Sequence, residues 1–219
     1  MNVLELFAGS RSIGKEAEAQ GHNVFSIDWT NYEGIDLAID IGELNLSDVP
    51  FIPDVVWASP DCKTYSLAAC GHHRNLDRTP KTQYGKDCDR VNQHWLNLIE
   101  EWTKLNPNLI YFIENPRAVL RKMDFMQGIP RTTVTYCSYG VEEIAMKPTD
   151  IFSNHIYNPL FAPNGWKPRA KCHNGNTKCH HEAAPRGSKT GTQGKKGSYE
   201  RSRIPKQLCK EIIKSFYLK

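Results

Sequence analysis

The sequence predicts an α/β protein built on a Rossmann-like parallel sheet, with a small loop-rich insertion towards its C-terminal end. Three observations lead to this class. Short apolar runs rich in β-formers alternate with stretches of helical periodicity. A glycine turn separates the first of these runs from the first helical stretch. After Asn154 the composition changes to Asn, Gly, Pro, Lys and His with almost no periodicity. A chain of 219 residues suits one such domain with a modest appendage.

The first forty residues predict a strand, a turn, a helix and a second strand. We expect the strands at Val3–Phe7 and Val24–Asp28, and a helix from about Arg11 to Gln20 that stops at Gly21. The small residues of the turn let a bound nucleotide-like molecule approach the backbone at the carboxyl edge of the sheet. This βαβ beginning is therefore the first candidate ligand site.

The rest of the chain continues the alternation. Later strands are expected at Asp54–Ala58, Leu109–Ile113, Thr132–Cys137 and Thr149–Phe152, and helices at Asp89–Lys104 and Pro205–Tyr217. The domain organisation predicted from these elements is a core over residues 1–153, an insertion over residues 154–199 and a C-terminal segment over residues 200–219 that returns to the core.

Charge points weakly to a polyanionic partner. The chain has 28 Lys and Arg residues against 24 Asp and Glu residues, a net charge of +4, which is too mild to indicate a nucleic acid by itself. Basic residues are concentrated between Lys167 and Lys219, where acids are few. A polyanion would therefore meet mainly the C-terminal quarter, unless that quarter is only a solvated basic tail.

Cysteine usage and hydropathy predict a cytoplasmic protein. Seven cysteines, an odd number scattered over the chain, favour free thiols in a reducing compartment over a disulfide framework. The first residues are too acidic for a signal peptide, and no apolar run approaches the length of a membrane span. We expect no role at a membrane.

Three side chains at predicted strand ends could carry chemistry. Asp28 ends the second strand about 20 residues after the glycine turn, where an acid can accept hydrogen bonds from ribose hydroxyls. Cys62 follows the strand Asp54–Ala58 in an exposed loop, a position that suits a nucleophile, although a single thiol is as often a packing residue. Glu114 ends another strand at the same edge. Together they predict an adenosine-containing cofactor beside a thiol and an acid.

These motifs resemble the DNA cytosine 5-methyltransferases. The resemblance rests on Leu6-Phe7-Ala8-Gly9, the Ser-Pro-x-Cys loop of residues 59–62 and the Glu-Asn-Pro strand end of residues 114–116, in this order. More particular strings are similar to the compact versions encoded by bacteriophages, namely Ala58–His73, Met146–Phe152, Ala184–Gly194 and Glu200–Pro205. The resemblance covers essentially the whole chain and implies a methyltransferase dependent on S-adenosylmethionine that acts on DNA in a bacterial host and shields phage DNA from restriction.

The resemblance also implies a role for each motif residue. Cys62 would add to carbon 6 of a flipped cytosine, Glu114 would act on ring nitrogen 3, and Asn115 would hold the acid loop. The implied cofactor-binding residues are Phe7, Ala8, Gly9, Ser10, Asp28, Trp29, Asp40 and Pro60, although Asp40 could equally be an ordinary surface residue. The implied DNA-binding residues are Ser66, His72, His73, Lys147, Arg186, Lys189, Lys195 and Lys196. Ser66 could also help to position the cysteine loop, and residues 154–199 would form a reduced target-recognition element.

The sequence departs from the family at two places. Asp61 stands where a proline normally precedes the nucleophile, and its carboxylate should raise the pKa of the Cys62 thiol unless a cation offsets it, for which Lys63 is the nearest candidate. The segment Tyr136–Gly140 lacks the arginines that normally contact the flipped base, which leaves Lys147 as the candidate for that contact. We further expect His72, His73 and Arg74, just after the cysteine loop, to face the DNA backbone.

Cysteines and histidines also gather in the insertion. The pairs Cys172-His173 and Cys179-His180-His181 offer ligand types that zinc accepts, but their spacing is not a standard CxxC pair. We therefore expect no metal; if one were bound, Cys172, Cys179 and His180 would be the candidate ligands.

Two other functions fit the same motifs. An RNA-directed relative would share the pocket, and basic loops bind either polymer. A catalytically inactive DNA-binding paralogue would explain Asp61 and the missing arginines, although the intact Cys62, Glu114 and Asn115 favour activity. An amino-group methyltransferase is disfavoured because its Asp/Asn-Pro-Pro-aromatic loop is absent from the sequence.

Overall fold

A computed structural model describes residues 1–182 and 197–217 of the chain, and the described residues form a seven-stranded sheet. The strands are β1 (Asn2–Leu6), β2 (Asn23–Asp28), β3 (Leu37–Ala38), β4 (Val55–Ala58), β5 (Ile110–Pro116), β6 (Arg131–Thr135) and β7 (Pro148–Ser153). Six of them lie where the sequence predicts a strand, within a few residues at either end. The short edge strand β3 is not anticipated by the sequence.

The strands follow the order β3-β2-β1-β4-β5-β7-β6 across the sheet. Strands β1 to β5 pair in parallel, whereas β7 pairs antiparallel with both β5 and β6. The predicted α/β class with a Rossmann-like sheet is confirmed, and β7 is the strand that runs antiparallel to the other described strands. The chain passes from β6 to β7 without a crossover helix, and such a short connection joins strands as an antiparallel hairpin.

The described helices are α1 (Ser12–Ala19), α2 (Cys70–His73), α3 (Gln83–Leu105), α4 (Gly197–Ser202) and α5 (Lys206–Ser215). Helix α3 begins at Gln83 rather than at the predicted Asp89, because the Thr82 side chain caps it by accepting a hydrogen bond from the backbone N–H of Gly85. Its first turns are polar, so apolar periodicity alone does not locate this start. Single 3₁₀ turns occupy Ile41–Glu43, Leu46–Asp48, Leu120–Lys122, Asp124–Met126 and Tyr136–Ser138.

The core consists of one apolar layer on each face of the sheet. Successive strand residues point to opposite faces, so Leu4 belongs to one layer and Val3 to the other. Helix α3 covers the first layer with Trp95 and Trp102, both buried. Helices α1 and α5 cover the second layer, where the buried side chains include Ile13, Trp57, Phe112, Leu208, Ile212 and Phe216.

The predicted loop-rich insertion is confirmed over its described part. Residues 154–182 contain turns and isolated bridges such as Ile156 to Trp166 and Asn158 to Ala162, with no helix or extended strand within that range. Across the described ranges, none of the helices combines the length and the apolar character needed to cross a bilayer.

Candidate active site

The candidate site lies at the carboxyl edge of the sheet, between the loops that follow β1 and β4. Strand β1 has β2 on one side and β4 on the other, so the direction in which strands are added reverses between β1 and β4. Ligands of open α/β sheets bind outside the carboxyl ends of the strands at such a reversal. The glycine loop Phe7–Arg11 and the cysteine loop Ser59–Ser66 are the two loops that flank it.

The backbone of the glycine loop is strained. Phe7, Gly9 and Arg11 have φ values of 55°, 49° and 53°, in the left-handed region that only glycine enters without cost. Such strain collects where a loop is shaped for a ligand. The backbone N–H of Gly9 donates a hydrogen bond of 2.9 Å to Oδ2 of Asp28 at the end of β2, and this contact fixes the loop against the neighbouring strand.

Asp28 and Trp29 suit an adenosine-containing cofactor. Asp28 is buried, and its Oδ1 accepts a hydrogen bond of 2.9 Å from the backbone N–H of Thr30. A carboxylate oxygen can accept a second hydrogen bond, which leaves acceptor capacity for ribose hydroxyls. The side chain of Trp29 is 77% exposed and offers an aromatic face beside this acid. The chemistry of these side chains therefore fits the cofactor that the sequence motifs imply.

The other predicted cofactor residues have local roles in the structure. Asp40 is exposed and caps the turn Ile41–Glu43, where its Oδ1 accepts a hydrogen bond of 2.8 Å from the N–H of Gly42. The Ser10 hydroxyl shares a hydrogen bond of 2.9 Å with the Ser12 hydroxyl. Buried Pro60 accepts a hydrogen bond at its carbonyl from the Asn115 amide.

A buried carboxyl group on β1 is hydrogen-bonded to the first turn of α1, directly after the glycine loop. Glu5 on β1 is 2% exposed and accepts hydrogen bonds from the Ile13 N–H at 3.2 Å and the Ser26 hydroxyl at 3.0 Å. The Nε of Arg11 donates to the same Ser26 hydroxyl at 2.9 Å. A Cβ at Gly14 would collide with the Glu5 carboxylate, so this helix position requires glycine.

Replacing Glu5 by glutamine should remove a pH dependence of stability. Burial raises the pKa of Glu5 from 4.5 to about 7, because desolvation outweighs the hydrogen bonds to it. The folded state therefore holds this proton more tightly than the unfolded state. The associated stability is fully present below pH 4.5 and is lost as pH rises through 7, a change of about 3 kcal/mol.

Urea unfolding at several pH values between 4.5 and 8 checks this result. The parent protein should lose stability relative to Glu5→Gln by about 3 kcal/mol over that range. Glu33→Gln, at an exposed position, is the matched control and should follow the parent protein. Parallel curves for the parent and Glu5→Gln would contradict the assignment.

In the cysteine loop, Cys62 is the first residue of a tight turn. Its carbonyl accepts hydrogen bonds from the N–H of Ser66 at 2.8 Å and of Tyr65 at 3.1 Å, which closes a turn directly after β4. The thiol is half-buried. The Ser66 hydroxyl donates to the Lys63 carbonyl at 3.3 Å, so Ser66 contacts this turn through both its backbone and its side chain.

A buried polar network stands behind the cysteine loop. Arg74 donates to the Thr64 carbonyl at 2.9 Å and forms a two-pronged ion pair with Asp89, at 2.7 and 3.0 Å. Tyr65 donates to the same carboxylate at 2.6 Å and accepts a hydrogen bond of 2.7 Å from Asn92. The expectation that Arg74 faces a DNA backbone is wrong, because Arg74 is 4% exposed and its donors are used inside the protein.

Polar residues on the apolar face of α3 are a sequence signal for this network that apolar periodicity does not reveal. Asp89 and Asn92 lie three residues apart on the face of α3 that also carries Trp95, and all three side chains are buried. Polar side chains on the buried face of a helix require partners, since burying them unpaired is costly. Their position indicates a buried polar partner, although it does not identify Arg74.

The acid predicted on β5 lies in the same region. Glu114 is 6% exposed and accepts a hydrogen bond of 2.9 Å from the Tyr136 hydroxyl. The next residue, Asn115, donates from Nδ2 to the Pro60 carbonyl at 2.9 Å and so ties the end of β5 to the cysteine loop. Its buried Oδ1 has no hydrogen-bond partner among the described residues, which marks it as an acceptor open to a ligand.

The electrostatic couplings join Cys62, Glu114 and Lys147. Burial raises the pKa of the Cys62 thiol to about 11, and the charges of Glu114 and Asp61 add to this rise while Lys147 opposes it. Burial also raises the pKa of Glu114, and Lys147 and the Tyr136 hydroxyl oppose that change. Cys62 is thus coupled to Glu114, Asp61 and Lys147, and Glu114 is coupled in turn to Lys147 and Tyr136.

The cation that acts on the thiol is Lys147 rather than the expected Lys63. Lys147 has a φ of 33°, and its ammonium lies 4.3 Å from the centre of the Tyr136 ring. Lys63 contributes its backbone N–H, which donates to Asp61 at 2.8 Å. The Tyr84 hydroxyl donates to the other oxygen of the same carboxylate. Hydrogen bonds thus hold both carboxylate oxygens of Asp61.

The remaining predicted DNA-binding residues fall into two groups. His72 is exposed, and the half-buried His73 shares a hydrogen bond of 3.0 Å with the Thr82 hydroxyl. Both histidines lie on α2, close in sequence to the cysteine loop. The predictions for Arg186, Lys189, Lys195 and Lys196 lie outside the described residues.

The candidate metal ligands of the insertion are only partly as expected. Cys172 and Cys179 lie together, but the histidine beside them is His181, and Cys137 joins the group. The ring of His180 instead contacts the Glu143 carbonyl at 3.2 Å.

The sheet order defines a Rossmann-like α/β fold, and solved structures similar to this chain were found. One is a prophage-encoded E. coli protein assigned as a DNA modification methyltransferase (TM-score 0.48, 14% identity, covering 70% of this chain and 46% of that one). Another is S. pombe Dnmt2 methyltransferase (TM-score 0.46, 13% identity, covering 70% of this chain and 48% of that one). A third is the Entamoeba histolytica methyltransferase EhMeth (TM-score 0.47, 12% identity, covering 70% of this chain and 52% of that one).

The chain spans about half the length of these solved structures. No protein-family model matches the chain, and no curated protein matches it. The similarities concern the fold, so the function has to be argued from the site itself.

Proposed function

We propose that this chain is a cytosine 5-methyltransferase that acts on DNA and uses S-adenosylmethionine, with Cys62 as the nucleophile. The observation that carries the proposal is the coupling of a strand-end thiol, a buried acid and a lysine beside a strained glycine loop. In the proposed reaction the thiolate of Cys62 adds to carbon 6 of cytosine, because carbon 5 is too weak a nucleophile to attack a methyl donor directly.

Cofactor binding is assigned to the glycine loop and the end of β2. When bound, S-adenosylmethionine would supply an electrophilic methyl group for carbon 5 of the base. Phe7, Ala8, Gly9 and Ser10 would form the wall against it, Asp28 would accept the ribose hydroxyls, and Trp29 would offer its exposed ring to the adenine. Asp40 and Pro60 complete the proposed set.

Glu114 is proposed as the acid that acts on ring nitrogen 3. Burial raises its pKa, so the neutral carboxyl, which can donate a hydrogen bond, is favoured more than in water. That hydrogen bond strengthens as the thiolate adds, because negative charge develops on the ring. Tyr136 holds the acid in place, and the open Oδ1 of Asn115 would accept a hydrogen bond from the amino group of the base.

Because the pKa of Cys62 is high, we expect the bound cytosine itself to favour formation of the thiolate that attacks it. The charge of Glu114 is one of the factors that raise this pKa, and Lys147 is the factor that lowers it. A neutral Glu114, hydrogen-bonded to the bound cytosine, no longer raises the pKa of Cys62. Lys147 still lowers that pKa, so the balance shifts towards the thiolate. Thiolate formation is therefore favoured once cytosine occupies the site, and the thiol proton leaves to solvent.

Turnover then restores the starting thiolate. After carbon 5 has gained the methyl group it loses its proton to a base, and the electron pair of that C–H bond reforms the ring double bond as the bond between Cys62 and carbon 6 breaks. Because a duplex hides carbon 6, the target base must leave the stack to reach Cys62. We assign holding the DNA to residues 154–199 together with Ser66, His72, His73 and Lys147, with residues 1–153 and 200–219 forming the catalytic core.

Mass spectrometry of nucleosides tests this function. The full chain is incubated with S-adenosylmethionine and either DNA or structured RNA, and the substrates are then digested to nucleosides. We expect 5-methylcytosine in the DNA and none when the donor is left out. Methylation confined to RNA would replace the proposed substrate class, a methylated amino group would exclude the role of Cys62, and an unmodified base in both polymers would favour the inactive paralogue.

A further inference from the structure

Four side chains outside the proposed catalytic site form a compact group of metal-ligand atoms. The group, referred to below as the Cys₃His cluster, consists of Cys137, Cys172, Cys179 and His181. Its three sulfurs and one ring nitrogen all lie within 4.8 Å of one another. Cys137 lies in the turn after β6, whereas the other three lie in the insertion, so the cluster joins two distant parts of the sequence.

The spacing in the cluster matches a tetrahedral zinc site. Zn–S bonds of about 2.3 Å and Zn–N bonds of about 2.0 Å at tetrahedral angles place a sulfur about 3.6 Å from a nitrogen and about 3.8 Å from another sulfur. The Sγ of Cys172 lies 3.5 Å from the Nδ1 of His181. The remaining separations are at most 4.8 Å, so shifts of about 1 Å would bring all four atoms within bonding distance of one ion.

We propose that the Cys₃His cluster binds a single structural Zn²⁺ ion. Three thiolates and one imidazole form one of the standard ligand sets of structural zinc sites, and four protein ligands leave no coordination position open for a substrate. Soft thiolates select zinc over the hard cations Mg²⁺ and Ca²⁺.

The backbone around the cluster is arranged as a ligand loop. Between Cys172 and Cys179 the chain turns tightly, with the Asn176 N–H donating to the His173 carbonyl at 3.3 Å and the Cys179 N–H donating to the Asn176 carbonyl at 3.1 Å. The Asn176 amide donates to the Cys172 sulfur at 3.3 Å. Donors to a ligand sulfur are typical of the shell around a bound metal, where they orient the ligand and stabilise its charge.

Contacts with β6 hold the insertion at the same place. The Cys172 N–H donates to the Thr135 hydroxyl at 2.8 Å, and the Ser138 hydroxyl donates to the Ala170 carbonyl at 3.1 Å. Among the described residues 154–182 the buried apolar side chain is Trp166, so hydrophobic packing contributes little to fixing this part of the insertion. A metal would supply the constraint that packing lacks.

The cluster is adjacent to Tyr136, the side chain that is hydrogen-bonded to the proposed acid Glu114. Cys137 follows Tyr136 directly, and the Tyr136 hydroxyl is hydrogen-bonded to Glu114. A bound ion would thus fix the turn that positions this hydroxyl while it holds the insertion against the core. The proposal itself does not depend on the catalytic function, because the ligands can be tested without any reaction.

Metal analysis of the purified full chain tests the proposal. The protein is prepared with zinc and a thiol reductant, passed through a desalting column and analysed for metal by mass spectrometry. We expect one zinc per chain, and after exchange with Co²⁺ we expect the absorption bands of tetrahedral cobalt with thiolate ligands. A chain that holds no stoichiometric zinc, or cobalt spectra without thiolate bands, would overturn the proposal.

Two pairs of variants locate the ligands. His181→Asn and Cys179→Ser should weaken zinc binding by roughly 10-fold or more, because each removes a ligand. Their matched controls, His180→Asn at the neighbouring histidine and Cys70→Ser at a cysteine outside the cluster, should keep the metal. Equal losses in His180→Asn and His181→Asn would overturn the assignment.

Alkylation of the parent protein gives a result even where a ligand variant fails to fold. Zinc should protect Cys172 and Cys179, both partly exposed, from a thiol reagent, and a chelator should release that protection in the presence of reductant. Cys70, also partly exposed, should react alike with and without the chelator. If the chelator leaves the labelling of Cys172 and Cys179 unchanged, the cluster is not a metal site; if the reductant alone releases the protection, a disulfide explains it instead.

Discussion

Replacing Cys62 by serine is expected to abolish covalent trapping of DNA that contains 5-fluorocytosine and to lower methyl transfer by at least about 10³-fold. Fluorine on carbon 5 prevents the proton loss that releases the enzyme, so the parent protein should remain bound to the base through Cys62. A serine hydroxyl is a far weaker acid than a thiol. The buried setting and the nearby charges that raise the thiol pKa to about 11 would disfavour an alkoxide still more.

Trapping is measured as a DNA-shifted band that survives denaturation, and transfer by counting the methyl groups incorporated. Cys70→Ser is the matched control, since Cys70 is a partly exposed thiol in the short helix after the same loop. Its trapping and transfer should stay near those of the parent protein. If Cys62→Ser trapped as much DNA as Cys70→Ser, the nucleophile would have to be another residue.

Arg74→Met should lower the free energy of unfolding by about 3–5 kcal/mol, the usual cost of removing one partner of a buried ion pair. The Arg74 and Asp89 side chains are 2% and 12% exposed, so the carboxylate left behind would lie mostly out of water. Arg74 also supports the cysteine loop through the Thr64 carbonyl, and its guanidinium lies 4.1 Å from the centre of the Tyr65 ring.

Urea unfolding of Arg74→Met and of Arg90→Met compares a buried with an exposed ion pair in the same region. Arg90 on α3 lies 3.8 Å from Glu43, with both side chains more than half exposed, and its loss should cost no more than about 1 kcal/mol. The double variant Arg74→Met with Asp89→Leu should recover part of the lost stability, because no charge is then left buried. Similar losses in the two single variants would show that the buried pair contributes no more than a surface one.

The sequence predicts most of the sheet because burial on both faces produces continuous apolar strands. The strands that contain Val3, Val24, Val55 and Ile110 are predicted for this reason. The direction of β7 is not readable in this way. Its direction depends on its pairing with both β5 and β6, and this is a property of the assembled sheet rather than of Pro148–Ser153 alone.

The candidate site was predicted where its residues end strands, and less well where they meet side by side. Asp28 ends β2, Glu114 lies near the end of β5 and Cys62 comes shortly after β4, and parallel strands bring their carboxyl ends to one edge. The partners Tyr136 and Arg74 come from other elements, so their contacts depend on packing that a single sequence does not specify. The sequence indicates Lys147 only through the absence of an arginine in Tyr136–Gly140, whereas its coupling to the thiol follows from three-dimensional position.

The Cys₃His cluster shows the same limit. Cys172 and Cys179 are close in sequence and form a recognisable pair of candidate ligands, whereas Cys137 lies 35 residues before Cys172 and is part of no ligand pattern. The choice between His180 and His181 depends on how the backbone turns, since adjacent side chains point in different directions. Sequence spacing could therefore indicate the ligand types but not the set.

The last described helix, α5, packs against the apolar face formed by β1 and α1. Leu208, Ile212 and Phe216 pack in the same layer as Val3 and Ile13, and the Ile204 N–H donates to the Ser12 hydroxyl across a sequence separation of 192 residues. Ribosomes synthesise β1 and α1 before α5, so the apolar face of β1 and α1 stays uncovered by α5 until the residues between them have been translated. Until then that face is available for aggregation or for a chaperone, and the fold is completed only after translation has passed α5.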